Sequence, residues 1–274
     1  MKSPKIAFLG AGNMAEALVA GILKAKQTQP NNIFATDISP MRLESLEKGY
    51  QIQVGSNNLE AVRWADVIIL CVKPQVMSDV SSEIHTSLSP KQLVISVAAG
   101  YPMSRIQKHI GPNIALVRAM PNTPAVIQEG VTALAGGEGL SSEFLHIAQR
   151  IFESVGKVVI VDEKLMDAVT GLSGSGPAYI YLIIEALIDG GVQVGLPRAV
   201  AHVLAVQTVV GAAKMVIETG MHPALLKDRV TSPGGTTMAG LQQLENGGIR
   251  ATLIEAVEAA THRSVELGQE ERIN

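Results

Sequence analysis

The sequence predicts an α/β fold: an N-terminal domain on a doubly wound parallel sheet, followed by an all-α C-terminal domain. Three observations predict it. Short β-branched runs alternate with amphipathic segments through the first part of the chain. A glycine turn, Gly10-Ala11-Gly12, stands directly between the first such run and the first helical pattern. From about Asp162 no strong strand pattern recurs and long helical patterns take over. The expected domains are therefore residues 1–162 and 163–274.

Strands are expected at Lys5–Leu9, Asn32–Thr36, Val67–Val72, Leu93–Val97 and Ile114–Arg118. Helical patterns lie between them at Asn13–Lys24, Pro40–Lys48, Asn58–Trp64 and Met103–His109. Strands separated by helices must cross over, and crossovers make parallel pairs. Two further strand patterns, Val131–Ala135 and Lys157–Val161, flank a helix near Ser142–Val155. Beyond them Leu165–Val194, Arg198–Thr219 and Gly248–Gly268 read as long helices. A short helix is expected at Pro223–Arg229, and another starting near Met238. In Arg198–Thr219 the positions Ala201, Leu204, Ala205, Thr208, Val209, Ala212 and Met215 recur at helical spacing, yet much of the rest is apolar too. A helix apolar on more than one side, in so small a domain, points to a partner subunit covering the second face.

Composition excludes several classes. Hydrophobic residues make up 47% and charged ones 17%, enough for a sizeable core. Aromatics at 3% leave little for stacking on bases, and a net charge of -3 gives no electrostatic reason to seek nucleic acid or an anionic membrane. Ile6–Leu9 is too short for a signal-peptide core, and no stretch approaches 18 unbroken apolar residues, so neither a secretory signal nor a membrane span is expected. The single cysteine, Cys71, lies in an apolar run and has no partner for an internal disulfide, which suits a cytoplasmic protein. His85, His109, His146, His202, His222 and His262 show no metal spacing, and no metal is expected.

Gly10, Gly12 and Ala15 fit G-x-G-x-x-G/A after a strand and at a helix start, the setting in which that pattern binds a dinucleotide. Gly10 allows the tight turn, Gly12 the approach of the pyrophosphate, and Ala15 close packing of helix on strand. With Asn13 and Met14 these residues define a Rossmann-type cofactor turn. Asp37 ends the second strand about twenty residues further on, where an acidic side chain binds the ribose hydroxyls of NAD. The alternative is a turn cap before Pro40, and Arg42 stands near enough to offset its charge. Lys73 reads either as a cofactor neighbour or as a solvated strand-end lysine, and Asn58 as a cofactor residue or an ordinary helix cap.

Two segments remain. Gly171-Leu172-Ser173-Gly174-Ser175-Gly176-Pro177 does not fit the nucleophile turn G-x-S-x-G, because Ser175 stands where the second glycine belongs. Its glycines and Pro177 suit tight packing and a helix start. Val230-Thr231-Ser232-Pro233-Gly234-Gly235-Thr236-Thr237 runs into a helix. Free amides and two hydroxyls there can clamp a carboxylate. The same residues also fit a plain loop with ordinary capping.

These motifs together resemble pyrroline-5-carboxylate reductases. The resemblance spans nearly the whole chain and is carried by Phe8–Ala15, Val72-Lys73-Pro74, Arg118-Ala119-Met120-Pro121-Asn122-Thr123-Pro124, Leu172–Tyr179 and Thr231–Thr237, continuing through Gly240, Leu241, Leu244 and Glu245. It implies reduction of 1-pyrroline-5-carboxylate to L-proline with NADPH or NADH. It implies that Val230, Ser232, Gly234, Gly235, Thr236, Thr237 and Ser175 bind the substrate. Asn58, Val72, Lys73 and Pro74 would line the cofactor, and Met120, Pro121 and Asn122 its nicotinamide end. Thr237 is the expected catalytic contact, its hydroxyl meeting the imine nitrogen. The resemblance further implies a homodimer and a decamer assembled from dimers. Asp37 departs from the small hydroxyl or basic residue common in NADPH-preferring members, so NADH is expected to be usable. A β-hydroxyacid dehydrogenase reading fails because its catalytic lysine and asparagine positions are Ile180 and Ile184. Short-chain dehydrogenase chemistry fails because neither Tyr179 nor Tyr181 has a lysine four residues on. A non-catalytic cofactor-binding regulator would have no use for the clamp.

Overall fold

The computed structural model describes residues 3–269. The described residues form two compact units, residues 3–175 with 258–269, and residues 176–257.

In the first unit the elements follow in the order β1 (Ile6–Leu9), α1 (Asn13–Lys24), β2 (Ile33–Thr36), α2 (Pro40–Tyr50), β3 (Gln53–Gly55), α3 (Asn58–Trp64), β4 (Val67–Leu70), α4 (Met77–Ile84), β5 (Leu93–Ser96), α5 (Met103–Ile110), β6 (Ala115–Met120), β7 (Gly130–Gly136), α6 (Ser142–Glu153) and β8 (Gly156–Ile160). They build one eight-stranded sheet in the order β3-β2-β1-β4-β5-β6-β7-β8. The first six strands have the doubly wound order, whose reversal between β1 and β4 opens a crevice at their carboxyl ends. Alternation along β1 supplies both cores. Ile6 and Phe8 join the cluster on one face with Leu18, Ile22 and Phe152. Ala7 and Leu9 join the other with Met77, Ile106 and Leu116.

Three features differ from expectation. First, β3 and α4 were not expected. β3 has three residues and no alternation, and α4 reads Met-Ser-Asp-Val-Ser-Ser-Glu-Ile, with few strong helix formers. Second, the sheet is not wholly parallel, since β6 pairs antiparallel with β7. Residues 121–129 hold only a 3-10 turn, too short for a crossover, so the chain must reverse there. Third, the helix expected over Leu165–Val194 is broken. α7 (Met166–Val169) runs into a π-turn at Thr170–Gly174 before α8 (Gly176–Gln193) begins. The change near residue 162 is where the sheet ends, while the compact unit continues through the π-turn to Ser175.

The second unit holds α8, α9 (Arg198–Thr219), α10 (Pro223–Arg229), α11 (Thr236–Asn246) and the start of α12 (Ile249–Gln269). α11 starts two residues earlier than expected, so Thr236 and Thr237 lie inside its first turn. Only Ala201 and Ala205 are buried among residues 176–257. Ile180, Tyr181, Leu182, Leu187, Val203 and Leu204 stand exposed. A helical unit with so little interior does not supply a core of its own. Judged by mean hydropathy instead of unbroken runs, the stretches Glu163–Gln193 and Arg198–Thr219 are long and apolar enough to cross a membrane. Glu185 and Asp189 interrupt the first of them, and His202 and Lys214 the second.

Candidate active site

The dinucleotide turn sits at the carboxyl end of β1. Gly10 has φ +100 and donates its N–H to the Thr36 carbonyl at 2.8 Å. A Cβ at Gly10 would lie 2.8 Å from the Cys71 carbonyl carbon and oxygen. Gly12 is the N-cap of α1 and brings no side-chain cap. The first intrahelical bond is Glu16 N–H to the Gly12 carbonyl, 3.0 Å. The amides of Asn13, Met14 and Ala15 therefore have no acceptor within the helix and open towards the crevice. Space in front of Gly12 is open, since a Cβ there meets nothing within 4 Å. This cradle fits a pyrophosphate group, which needs backbone donors and close approach.

Of the two roles the sequence leaves open for Asp37, the structure shows the turn cap. Its carboxylate accepts Ser39 N–H at 2.8 Å, capping its own turn, and Ala11 N–H at 2.7 Å, bracing the glycine turn. Arg42 donates to the Ala11 carbonyl at 2.8 Å and pairs with Glu16 at 2.9 Å. Burial first, and then the Glu16 carboxylate, push the neighbouring Tyr50 phenol above its ordinary pKa. Asn58 is not the cap of α3. That role belongs to Asn57, which accepts Leu59 and Glu60 N–H. The Asn58 amide is instead oriented from both sides, accepting the Thr36 hydroxyl at 2.6 Å and donating to Glu83 at 2.9 Å. Val72, Lys73 and Pro74 follow β4 across the crevice, with Lys73 exposed and Val72 and Pro74 half-buried.

Cys71 is half-buried as a residue and packs against the core cluster of β1. Burial pushes its thiol up to about 12. The thiolate fraction at neutral pH is then about a thousandfold below that of an ordinary cysteine. In the native protein Cys71 is expected to resist a thiol-specific disulfide reagent at pH 8 and to react within seconds once unfolded in denaturant. Rapid native labelling would contradict this.

Met120 ends β6, and Pro121 and Asn122 follow it. The Asn122 amide donates to the Ser173 carbonyl at 3.1 Å and accepts Val131 N–H at 3.0 Å. A Cβ at Gly174 would lie 2.5 Å from the Met120 methyl. The structure thus joins Met120–Asn122 to the π-turn, where Ser175 N–H closes on the Thr170 carbonyl at 2.9 Å. Beneath them lies Arg118, 3% exposed, with Glu163 and Asp167 each at 3.5 Å. Asp167 also accepts the Ser264 hydroxyl of α12 at 2.7 Å. Sequence reasoning missed Thr36, Glu16 and the ion network of buried Arg118, although an arginine inside the apolar run Ala115–Met120 is a visible signal.

The clamp lies in the helical unit. Val230 caps α10, and Thr231 donates its hydroxyl to the Lys227 carbonyl at 2.8 Å. Gly235 N–H closes a turn on the Ser232 carbonyl at 3.0 Å, with Gly234 at φ +66. Gly235 is the N-cap of α11 and offers no side chain. The amides of Thr236, Thr237 and Met238 are therefore left without helical acceptors. Thr237 is half-buried, while Ser232, Gly234 and Thr236 are exposed. An open groove of about 640 Å³ in the same unit is lined by Tyr181, Leu182, Glu185, Ile188, Arg198 and His202. It holds none of the clamp residues, and its apolar walls belong with the uncovered faces of α8 and α9. No group of acidic, histidine or cysteine side chains among the described residues could hold a metal.

A relative from Synechocystis, a pyrroline-5-carboxylate reductase, is 49% identical over 97% of this chain and 99% of its own. The chain belongs to the pyrroline-5-carboxylate reductase family. A pyrroline-5-carboxylate reductase from Methanosarcina acetivorans is 48% identical, covering 98% of this chain and all of that protein. The crystal structure of the Plasmodium falciparum pyrroline carboxylate reductase with NADP bound superposes with a TM-score of 0.89, at 35% identity and covering 98% and 99% of the two chains. The pyrroline-5-carboxylate reductase dimerisation model matches residues 163–267, and the model "NADP oxidoreductase coenzyme F420-dependent" matches residues 5–100. The dimerisation model thus includes residues 176–257, the part of this chain that lacks an interior.

Proposed function

We propose that this chain is a pyrroline-5-carboxylate reductase that converts 1-pyrroline-5-carboxylate to L-proline, the last step of proline biosynthesis. The carrying observation is full-length identity of 39–49% to proteins of that name. NADPH or NADH, when bound, supplies the hydride that reduces the C=N bond. The amides of Gly12, Asn13, Met14 and Ala15 receive the pyrophosphate, and Gly10 gives the turn its closeness. Asp37 reads the adenine ribose. Asn58, Val72, Lys73 and Pro74 line the cofactor, and Met120, Pro121 and Asn122 border the nicotinamide. Val230, Ser232, Gly234, Gly235 and Thr236 hold the substrate carboxylate at the start of α11, with Ser175 near the ring. The Thr237 hydroxyl accepts the N–H of the protonated imine and orients its carbon.

A protonated imine is already a good hydride acceptor, so positioning dominates and no acid–base dyad is needed. The exposed apolar faces of α8 and α9 support a homodimer, and dimers assembled into a decamer would be seen by light scattering of the native protein. Neither nucleic acid nor a membrane has a part in this reading, which places the enzyme in the cytoplasm.

Pyrroline-5-carboxylate-dependent oxidation of NADH and NADPH tests the function, and no oxidation of either would overturn it. NADH is expected to support kcat/KM at least comparable to NADPH. Asp37→Ser is expected to shift the ratio towards NADPH by about tenfold, the effect of removing one carboxylate facing a phosphate. A strong NADPH preference in the unmodified enzyme would refute the role given to Asp37.

A further inference from the structure

The segment around Ala11 contains a chain of polar contacts of which the hydride-transfer reading uses only Asp37. Asp37 holds the Ala11 N–H at 2.7 Å, and Arg42 Nε holds the carbonyl of the same residue at 2.8 Å. Arg42 Nη2 then reaches Glu16 Oε2, in the first turn of α1, at 2.9 Å. Glu16 Oε1 in turn lies 3.5 Å from the Tyr50 hydroxyl. Both partners of the ion pair are about one-third exposed, at 32% and 33%, so solvent reaches them. Lys48, the next cation along α2, is engaged by Glu44.

Arg42 stands five residues beyond the acidic position that reads the ribose. A nearby arginine is what accommodates a 2′-phosphate in dinucleotide sites. Here its guanidinium is turned to the protein on two edges, and its charge is balanced by Glu16. With Asp37 the trio sums to one negative charge, against a phosphomonoester that carries about two. Asp37 alone would make NADPH unwelcome, and Arg42 alone would restore it. The Glu16 carboxylate decides which of the two prevails.

We infer that Glu16 is a positioning residue for cofactor choice: it latches Arg42 onto the Ala11 carbonyl and withholds the guanidinium from a 2′-phosphate. The inference rests on the reading of Gly10–Ala15 as a dinucleotide seat. Glu16→Gln keeps an acceptor of the same shape and removes the charge. Its effect should appear in binding, without any turnover.

The test measures Kd for NADH, NADPH and adenosine 2′,5′-bisphosphate by titration calorimetry on the full-length native protein and on Glu16→Gln, Arg42→Ala and the double variant. In Glu16→Gln the NADPH-to-NADH affinity ratio should rise about tenfold at low salt, with a parallel gain for the bisphosphate, and the gain should shrink at about 0.5 M salt, where the screening length falls to a few ångströms. Adding Arg42→Ala to Glu16→Gln should erase the gain. Arg42→Ala alone should change the ratio by less than about twofold, since the latched guanidinium contributes little to phosphate. An equal change for NADH and NADPH, a gain that survives loss of Arg42, or a gain indifferent to salt would each overturn the latch while leaving the dinucleotide seat standing. Failure of the native protein to bind either dinucleotide would remove the seat and the latch together.

Discussion

Gly10→Ala is expected to lower stability by about 2–4 kcal/mol and to weaken dinucleotide binding on the order of 100-fold, whereas Gly12→Ala should weaken binding without moving the melting temperature. The two glycines look alike in the sequence and differ in what surrounds them. Gly10 sits at φ +100, a region in which an L side chain is strained. Its missing Cβ would also press on the Cys71 carbonyl at 2.8 Å and the Val72 amide at 3.0 Å. Those atoms are backbone at the end of β4 and cannot rotate away. Relief requires moving β1 and β4 apart, which breaks the Cys71 N–H bond to the Leu9 carbonyl at 2.8 Å. The crevice itself is then misshapen. Gly12 has ordinary φ of -74 and open space ahead of it. Alanine fits there in the free protein but stands where a pyrophosphate must approach the amides of Asn13 and Met14. Thermal melts with calorimetric Kd values separate the two cases. Unimpaired binding by Gly12→Ala would mean that this turn does not hold the pyrophosphate.

Much of this architecture was legible because the relevant signals are local. β1, β2, β4 and β5 are runs of four buried residues, apolar throughout except for Thr36 and Ser96 at the ends of β2 and β5. α1, α3, α9 and α10 begin and end where their sequence patterns place them. What was not legible depends on distant partners. β3 is held by pairing with β2, not by its own pattern. The reversal at β7 follows from the length of residues 121–129, which a strand-by-strand reading does not weigh. The π-turn at Thr170–Gly174 falls in a glycine-rich stretch that marks a break in the helix without specifying its type. The site divides the same way. The glycine turn and the clamp are contiguous and stood out. Thr36, Glu16 and Glu83 orient Asn58 and Arg42 from elsewhere in the chain, and nothing in their immediate neighbourhoods marks them. The helical unit shows the opposite case. An apolar helix without a polar face predicted a missing partner, and residues 176–257 indeed bury only two side chains in the isolated chain.

Thr237→Ala is expected to reduce kcat/KM for the imine by about 10- to 100-fold, corresponding to loss of one hydrogen bond to a charged group, about 1.5–3 kcal/mol. The position makes this a clean experiment. Thr237 is the second residue of α11, one beyond Thr236, and the N-cap is Gly235. Removing its hydroxyl therefore removes no helix cap. Alanine is also the better helix former, so stability should hold or rise slightly. Thr237→Val tests shape, since it keeps the branched side chain and loses only the hydroxyl, and it should behave as the alanine variant does. Thr237→Ser keeps the oxygen and should recover most of the activity. The split between constants carries the mechanism. If the hydroxyl orients the protonated imine for hydride transfer, kcat falls with kcat/KM, because the contact matters most as C5 meets the donor. If it merely helps to seat the carboxylate, KM rises alone. Kd for the dinucleotide, measured without substrate, should not follow the substitution, because the free amides and hydroxyls of this loop are assigned to the imino acid. Native turnover by Thr237→Ala would show that the imine nitrogen needs no partner at this residue, and that the loop acts through its backbone donors alone.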